Sequence, residues 1–311
     1  MVSAARTGAL LLNWRRADLT LRCLHDLLAV PDEAMRILVI DNGSGADEVA
    51  ALQRGVDEAN AAGSVHRVEL AALPDNRGFT GGMNHGIAWA NAAALPFVLV
   101  LNNDLRLPPD FLRPLVGVLV NDVGVGAVGP TVLHPDGTVW AEGGRRAFVP
   151  NGLLLSRHGC LPTPREHGPE AVGFLPCACV LFRTEAVVAV GGFDDAYFMY
   201  WEDVDLCERL AARTFRIVWL PWVRVEHAAG QSSGGGRSPV RKFLMACNTV
   251  RYLRAHGTVA GWCAWLCCDV LAWPLTLLSG PRAAVAKWQG MWAGVRGHRA
   301  GAADVARLMP H

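Results

Sequence analysis

Short apolar runs of strand length alternate with helix-length segments in the first part of the chain. Residues 9–13, 36–40 and 97–101 are the clearest runs, and each leads into polar residues. Leucines at helical spacing follow the first run, which predicts a helix with Asp18 as its N-cap and Pro31 just beyond its end. This alternation predicts an α/β fold built from βαβ units around a mostly parallel twisted sheet flanked by helices.

Beyond residue 130 the pattern becomes less regular. The Gly/Ser run over residues 231–236 is expected to be a mobile loop. The other elements predicted here are a hairpin around residues 134–137, a strand over 173–183, a helix from Glu202 and a strand over 216–225.

The last part of the chain is almost wholly apolar over residues 258–278, which is long enough to cross a bilayer. Asp269 and Pro274 interrupt this segment, and basic residues flank it on both sides, against the positive-inside tendency of a spanning helix. We expect an interfacial or re-entrant membrane-associated segment, with a buried helical hairpin and a single span as alternatives. An amphipathic basic helix should follow, with Val285, Trp288, Trp292 and Val295 on its apolar face.

Charge and cysteine content indicate which binding partners and which cell compartment to expect. The 311 residues carry a formal net charge of +1, and basic residues are not concentrated near the polar motifs, so nucleic acid is not an expected partner. The nine cysteines form no recognisable framework, which is typical of reduced thiols in the cytoplasm. The apolar run at residues 8–12 is too short for a secretory signal. We expect a cytoplasmic protein, peripheral on the cytoplasmic face of the inner membrane.

Polar clusters follow the predicted strands at their carboxyl ends, the edge at which open α/β sheets bind ligands. Residues 41–44 and 102–104 form two such clusters. A third cluster, residues 76–84, opens a helix, and its glycines and amides suit a diphosphate, to which Arg77 and Asn84 can add charge and hydrogen bonds. Ordinary turn chemistry would account for any one of these clusters alone.

Asp104 and a later group of acids are the candidate reactive residues. A carboxylate at the end of a buried strand can hold Mg²⁺ or Mn²⁺ together with water and diphosphate oxygens. Residues 202–205 contain three carboxylates at the start of a predicted helix, where acidic side chains are also favourable simply as N-terminal charges. His227 ends the following strand, and its imidazole would complete the protein ligands of the ion with Asp104.

In this order and spacing, the segments resemble the inverting family 2 glycosyltransferases of the GT-A fold, particularly the bacterial rhamnosyltransferase-like branch. The likeness covers roughly residues 8–255. The matching motifs are Asn13-Trp14, Asp41-Asn42-Gly43-Ser44, Asn76-Arg77-Gly78-Phe79, Leu101-Asn102-Asn103-Asp104, Gly191-Gly192-Phe193-Asp194-Asp195 and Tyr200-Trp201-Glu202-Asp203-Val204-Asp205.

The resemblance implies a nucleotide-sugar donor, a divalent cation (Mg²⁺ or Mn²⁺) and an acceptor hydroxyl. Asp203 would be the catalytic base, and Asp104 and His227 would bind the metal. Trp201 and Glu202 would lie on the acceptor side. The nucleotide-sugar site would comprise Asn13, Asp41, Asn76, Arg77, Gly78, Asn84 and Asn103, with Asp41 at the nucleotide base.

One departure from the family pattern concerns the metal. Asn102 stands where the D-x-D motif of the family has its first acid, so one negative charge is missing beside Asp104. The missing charge lowers the expected affinity of the site for a cation, and it makes His227 more important as a second ligand.

The implied organisation is a catalytic domain over residues 1–255, with a nucleotide-sugar half to about 130 and an acceptor half over 131–255, followed by a membrane-associating region over 256–311. The expected reaction moves L-rhamnose from dTDP-rhamnose, or another hexose from a UDP-sugar, to a lipid-linked or cell-surface glycan. A catalytically silent nucleotide-sugar-binding or scaffold protein of a polysaccharide assembly complex is the alternative. A sugar-phosphate nucleotidyltransferase is disfavoured because residues 13–16 are not a glycine-rich phosphate loop.

Overall fold

A computed structural model of the protein describes residues 5–31, 34–147, 152–227 and 238–309. The Gly/Ser run at 231–236 lies outside these residues. The strands are β1 (Thr7–Asn13), β2 (Met35–Asn42), β3 (Arg67–Leu73), β4 (Phe97–Leu101), β5 (Leu105–Arg106), β6 (Val125–Leu133), β7 (Val139–Ala141), β8 (Gly144–Ala147), β9 (Gly152–Leu155), β10 (Glu170–Ala171), β11 (Cys179–Arg183) and β12 (Arg216–His227). The helices are α1 (Ala17–Leu28), α2 (Ala46–Ala61), α3 (Gly78–Ala92), α4 (Leu112–Asn121), α5 (Thr184–Ala189), α6 (Glu202–Ala212), α7 (Pro239–His256), α8 (Val259–Trp265), α9 (Pro281–Val295) and α10 (Ala302–Leu308).

The main sheet has the order β10-β12-β6-β11-β4-β1-β2-β3. Strands β3, β2, β1 and β4 are parallel, β11 runs antiparallel to both of its neighbours, and β12 is again parallel to β6. β4 and β12 therefore point the same way, so the residues that follow β4 and those that end β12 reach the same edge. The predicted α/β class with a mostly parallel sheet is confirmed.

Helices cover both faces of this sheet. Along β1, Ala9 and Leu11 face the layer that contains α1, α2 and α4, while Leu10 faces the layer that contains α3, α5 and α6. Burial on both faces explains why these strands are continuous apolar runs without a polar alternation. It also leaves the ends of the strands as the places where polar side chains can collect.

Two predicted boundaries were wrong for local reasons. Helix α1 begins after Arg16, and Asp18 lies in its first turn, where its carboxylate accepts from the Arg16 guanidinium instead of capping the helix. The strand predicted over 173–183 is regular only from Cys179 onward. Pro176 has no amide hydrogen for a ladder, and the preceding Phe174 forms only an isolated bridge to Gly144.

Helix α9 packs against α7 through small residues. A Cβ on Gly290 would lie 2.3 Å from the carbonyl oxygen of Phe243, and one on Gly294 would lie 2.7 Å from that of Cys247. These two glycines, one turn apart, let the backbones of α7 and α9 approach closely. The contact fixes α9 against α7, and it leaves Val285, Trp288 and Trp292 of α9 about half exposed.

The apolar segment between α7 and α9 is a broken helical stretch. Val259–Leu271 and Trp273–Ser279 meet at a bend of 54°, and together they have the length and composition of a bent membrane segment. Among the described residues, no single helix is both long and apolar enough to cross a bilayer. Leu271, Leu275 and Leu278 are exposed in this stretch, so the structure does not bury it as the hairpin alternative would require.

Candidate active site

Asp104 and His227 meet at the carboxyl edge of the sheet. Oδ1 of Asp104 lies 2.9 Å from Nε2 of His227, and both side chains are almost fully buried. Nδ2 of Asn102 lies 3.3 Å from the same imidazole nitrogen. The Trp140 ring packs edge-on against the imidazole, with ring centroids 4.8 Å apart. The sheet topology thus brings together the two residues that the sequence predicted as metal ligands.

These two groups suit a divalent cation by their chemistry. Their facing atoms are separated by the distance at which adjacent ligands of one ion stand when metal–ligand bonds are about 2.1 Å long. A carboxylate oxygen and an imidazole nitrogen favour Mn²⁺ somewhat over Mg²⁺. Among the residues that the structure describes, no third His, Cys, Asp or Glu joins the pair. Diphosphate and water oxygens would have to supply the remaining positions, as is usual for Mg²⁺ and Mn²⁺ in nucleotide enzymes.

The three acids at the start of α6 have different environments. Asp205 is fully committed to structure, since it accepts from Arg209 at 2.8 Å and lies 2.7 Å from Nε2 of His256. Glu202 is buried, and burial together with the neighbouring Asp203 raises its pKa well above the ordinary value. Asp203 is the least buried of the three as a whole residue. Burial raises the pKa of Asp203 to about 6, while hydrogen bonds from the backbone amides of Val204 and Cys177 favour its charged form.

A short segment before β11 connects the two sets of acids. The amide of Cys177 donates to the carboxylate of Asp203. The carbonyl of the next residue, Ala178, accepts from the amide of Asn102 at 2.9 Å. Asp203 and the cluster that ends in Asp104 therefore adjoin the same two-residue segment.

Asn13, Asp41 and Asn103 form a buried network at the same edge. Nδ2 of Asn13 donates to Asp41 at 2.8 Å, and the Ser44 amide donates to the other Asp41 oxygen at 2.9 Å. The Thr20 hydroxyl donates to Asn13 and accepts from Asn103. Asp41 is fully buried, so the direct contact with a nucleotide base that the resemblance implies would require Asp41 to exchange one of these partners. That contact stays a prediction.

Asn76, Arg77 and Gly78 form the turn that begins α3. The side chain of Asn42 braces this turn by accepting from the Arg77 amide and donating to Asn76 and to the Gly78 carbonyl. The Arg77 guanidinium remains half exposed, 3.6 Å from Asp75, and is the cation of this turn that can still reach a phosphate.

The first amides of α3 are bonded within the protein in this structure, so their use for a diphosphate stays a prediction. The amides of Phe79 and Thr80 donate to the carbonyl of Phe198, at 2.7 and 3.4 Å. A Cβ on Gly78 would lie only 2.4 Å from that carbonyl, so the glycine is required for close contact with a neighbouring loop. The helix end thus holds the loop that precedes the acidic motif.

The side chain of Asn84 bonds to the Gly-Gly-Phe-Asp-Asp segment at residues 191–195. Its Nδ2 donates to the Phe193 carbonyl at 2.9 Å and to the Asp195 carboxylate at 2.6 Å, and its Oδ1 accepts from the Phe193 amide. These bonds hold the Gly-Gly-Phe-Asp-Asp segment against α3. Participation of Asn84 in donor binding stays a prediction.

The loop that leads into α6 has an unusual backbone. Phe198, Tyr200 and Trp201 all have positive φ angles, between 55° and 76°. Non-glycine residues in this region cost of order 1–3 kcal/mol each and persist only where the surroundings fix them. Trp201 is buried directly before Glu202, so the predicted acceptor-side pair lies at the end of this strained loop.

Three residues that the sequence did not single out contribute to the site. Glu48 accepts from the Ala17 amide at 2.9 Å and from Asn13 at 3.3 Å, Trp140 packs on His227, and Asn248 of α7 donates to the strained loop. Glu48 lies in α2 and Asn248 in α7, and a polar residue in a helix ordinarily faces solvent. No local pattern distinguishes them from surface positions.

Comparison with known proteins identifies the family of this chain. The family model described as glycosyl transferase family 2 matches residues 12–190. The chain belongs to this family. The N-acetylglucosaminyl-diphospho-decaprenol L-rhamnosyltransferase of Mycobacterium tuberculosis is 30% identical over 263 residues, covering 78% of this chain and 81% of that protein. The protein is a glycosyltransferase of the rhamnosyltransferase-like branch, as the motifs predicted.

Solved structures of glycosyltransferases share its fold. A mannosyltransferase from Pyrobaculum calidifontis in complex with GDP-mannose and Mn²⁺ has a TM-score of 0.58 at 16% identity, covering 99% of this chain and 79% of that one. GalNAc-T7 with UDP, GalNAc and Mn²⁺ has a TM-score of 0.61 at 15% identity, covering 99% of this chain and 58% of that one. At these identities the likeness establishes the GT-A fold of the glycosyltransferase.

Proposed function

We propose that this glycosyltransferase moves L-rhamnose from dTDP-rhamnose to a hydroxyl of a lipid-linked glycan, with inversion at the anomeric carbon. One observation carries the catalytic part: Asp203 contacts Cys177, and the next residue, Ala178, accepts from Asn102, which lies beside His227 in the cluster that contains Asp104. The choice of sugar and acceptor is supported by the name of the mycobacterial relative.

Asp203 is the group of this chain that can accept the proton of the acceptor hydroxyl. Its two backbone hydrogen bonds hold the carboxylate in place, and its raised pKa makes it a better proton acceptor than an ordinary aspartate once ionised. The oxygen that loses its proton would attack the anomeric carbon, the bond to the diphosphate would break, and the proton would stay on Asp203. A single displacement of this kind inverts the configuration.

Asp104 and His227 would hold the divalent cation, with Asn102 beside them. When bound, such an ion supplies neutralisation of the charge that develops on the departing diphosphate. Arg77, half exposed at the start of α3, would add a positive charge along the nucleotide.

The pH dependence of transfer should report Asp203. Because the base must be ionised, we expect kcat to rise with pH through about 6, the pKa to which burial raises Asp203, and to level off above it. Glu202→Gln should leave this rise in rate in place, since glutamine does not titrate and the Asp203 carboxyl is still present in the variant. Initial rates of wild type and variant between pH 5 and 9 would measure this. If the rise of kcat near pH 6 disappears in Glu202→Gln, the titrating group is Glu202.

The donor can be tested with a panel of nucleotide sugars. With Mn²⁺ present, dTDP-rhamnose should raise the melting temperature more than UDP-glucose or UDP-galactose, because a preferred donor stabilises the native state. The same donor should give a rhamnosylated product from a diphospho-polyprenol acceptor that carries N-acetylglucosamine, detected by mass spectrometry. A UDP-hexose that stabilises and reacts in its place would replace the sugar assignment, and binding without transfer from any donor would favour a silent binding protein.

We further propose that the C-terminal helices attach the glycosyltransferase to an anionic membrane surface. On α9, Val285, Trp288 and Trp292 are each about half exposed, although the small residues of the same helix are buried against α7. Leu275 and Leu278 of the preceding segment are exposed as well. The exposed cations Arg282, Arg296 and Arg299 border this apolar surface. Apolar side chains beside cations match the interface of an anionic bilayer.

Replacing two tryptophans tests the membrane proposal. The double change Trp288→Ser and Trp292→Ser should lower the fraction that sediments with phosphatidylglycerol-containing vesicles, with a roughly tenfold weaker partition because two large apolar side chains are lost. Val123, 77% exposed and far along the chain, provides the control substitution Val123→Ser. Equal sedimentation of all three proteins would contradict attachment through α9.

A further inference from the structure

The side-chain amide of Asn248 in α7 faces three backbone carbonyls of the loop that precedes the acidic motif. Nδ2 of Asn248 lies 2.8 Å from the carbonyl of Tyr197, 2.9 Å from that of Met199 and 2.9 Å from that of Tyr200. Asn248 has no solvent exposure. Its two N–H groups therefore face three backbone acceptors inside the protein, and no water can replace them without repacking.

These three carbonyl groups belong to a strained part of the backbone. Phe198 and Tyr200 have positive φ angles, which turn their carbonyls away from any regular ladder. The Phe198 carbonyl is bound from the opposite side by the first amides of α3. The loop is thus fixed between α3 and α7, and Asp203 follows it after two residues.

The contact extends along one face of α7. Asn248, Tyr252 and His256 are spaced four residues apart, so they form one stripe on the helix. The Tyr252 ring packs on Trp201 with centroids 4.6 Å apart, and its hydroxyl donates to Glu208. His256 contacts Asp205 at 2.7 Å. Helix α7 therefore contacts the loop, the residue before the acids and two acids of α6.

We infer that Asn248 is a positioning residue for the catalytic base, acting by fixing the strained loop before α6. The inference rests on the proposed role of Asp203. It predicts that the amide of Asn248 determines where the Asp203 carboxylate stands, whereas donor binding, which involves the other end of the site, is largely independent of it. A displacement of a catalytic group by about 1 Å can cost on the order of 100-fold in rate.

Two substitutions at this position separate positioning from folding. Asn248→Ala removes the amide, and Asn248→Asp removes its N–H donors while keeping the side-chain volume. Both should lower kcat about tenfold or more, with the KM for the donor changed less than about twofold. Both should also speed amide hydrogen exchange in a peptide that covers residues 197–205, measured on the full chain.

Asn60 provides the matched control. Its amide clamps both backbone groups of Val68, tying α2 to β3 away from the acidic motif. Asn60→Ala should lower the melting temperature while leaving kcat and the exchange of residues 197–205 unchanged. A loss of kcat in Asn60→Ala equal to that in Asn248→Ala would reduce Asn248 to a residue of general stability and overturn the inference.

The outcomes distinguish this inference from the assignment of the base. Unchanged exchange of residues 197–205 in both Asn248 variants, or unchanged kcat, would overturn the positioning role while the proposed function stands. Wild-type transfer by Asp203→Asn would instead remove Asp203 as the base. In that case the positioning of a base by Asn248 fails with it, and faster exchange would show only that the amide holds the loop.

Discussion

Asp203→Asn should abolish most of the transfer while leaving the protein folded. Loss of a general base costs on the order of 10²–10⁴-fold in rate, and asparagine cannot accept the proton of the acceptor. The folded state should not suffer, because burial raises the pKa of Asp203 to about 6 and its ionised form is therefore unfavourable in the native protein. A carboxyl whose pKa is raised in the folded protein lowers the stability of the fold as the pH rises from the ordinary pKa of aspartate through 6. The melting temperature of Asp203→Asn at pH 7.5 should equal or exceed that of wild type.

Glu208→Gln is the matched control for this experiment. Glu208 lies on the same helix and accepts from Tyr252, and glutamine can still accept that bond. The control variant should transfer at close to the wild-type rate. If Asp203→Asn kept near-wild-type kcat in a folded protein, Asp203 would not be the base, and Glu202 would be the next carboxylate to test.

Replacement of either predicted metal ligand should have the second largest effect. We expect Asp104→Asn and His227→Gln each to lower kcat/KM on the order of 100-fold or more, because charge on the departing diphosphate would be poorly neutralised. The loss should be accompanied by a weaker Mn²⁺-dependent rise in melting temperature in the presence of nucleoside diphosphate. Titration of Mn²⁺ with wild type and both variants would measure the two effects on the same samples.

Two further variants sharpen this test. Asp110 is an exposed carboxylate shortly after the cluster, and Asp110→Asn should behave like wild type. Asn102→Asp adds the acid that the family motif has at this position, so it should lower the Mn²⁺ concentration needed for half-maximal rate. Metal-independent transfer by wild type would contradict a role for the cation. An unaltered Mn²⁺ requirement in both ligand variants would contradict its binding by Asp104 and His227.

The parts of the site that could be predicted from sequence are those at the ends of strands. The apolar run 97–101 and the polar residues after it determine that Asp104 stands at the carboxyl edge, and β12 returns to the same edge in the same direction. The expected strand order therefore indicated that His227 lies at this edge. The 2.9 Å contact between His227 and Asp104 confirms that the two residues are close together. The assignment of the metal itself stays a prediction.

The parts that could not be predicted depend on packing between distant segments. Nothing local shows that Phe198 and Tyr200 have positive φ, because neither is glycine and their strain is offset by α3 and α7. The sequence of α3 likewise gives no sign that its first amides bond to the Phe198 carbonyl. The contact of Asn248 with the loop could not be predicted either, because a polar residue in an amphipathic helix ordinarily faces water.

The three acids of the motif show the same limit on a smaller scale. Helical spacing put Glu202 and Asp205 on one face, but it could not show which carboxylate is committed to structure. In the structure Asp205 is held by Arg209 and His256, Glu202 is buried, and Asp203 is the least buried of the three. The choice of Asp203 as the base, drawn from the resemblance, stays a prediction.

The configuration of the product tests the central proposal most directly. Wild-type glycosyltransferase would be incubated with its donor, Mn²⁺ and acceptor, and the anomeric signals followed by NMR as the reaction proceeds. A single displacement assisted by Asp203 predicts that the first product formed has the anomeric configuration opposite to that of the donor. A first product with the same configuration as the donor would contradict it.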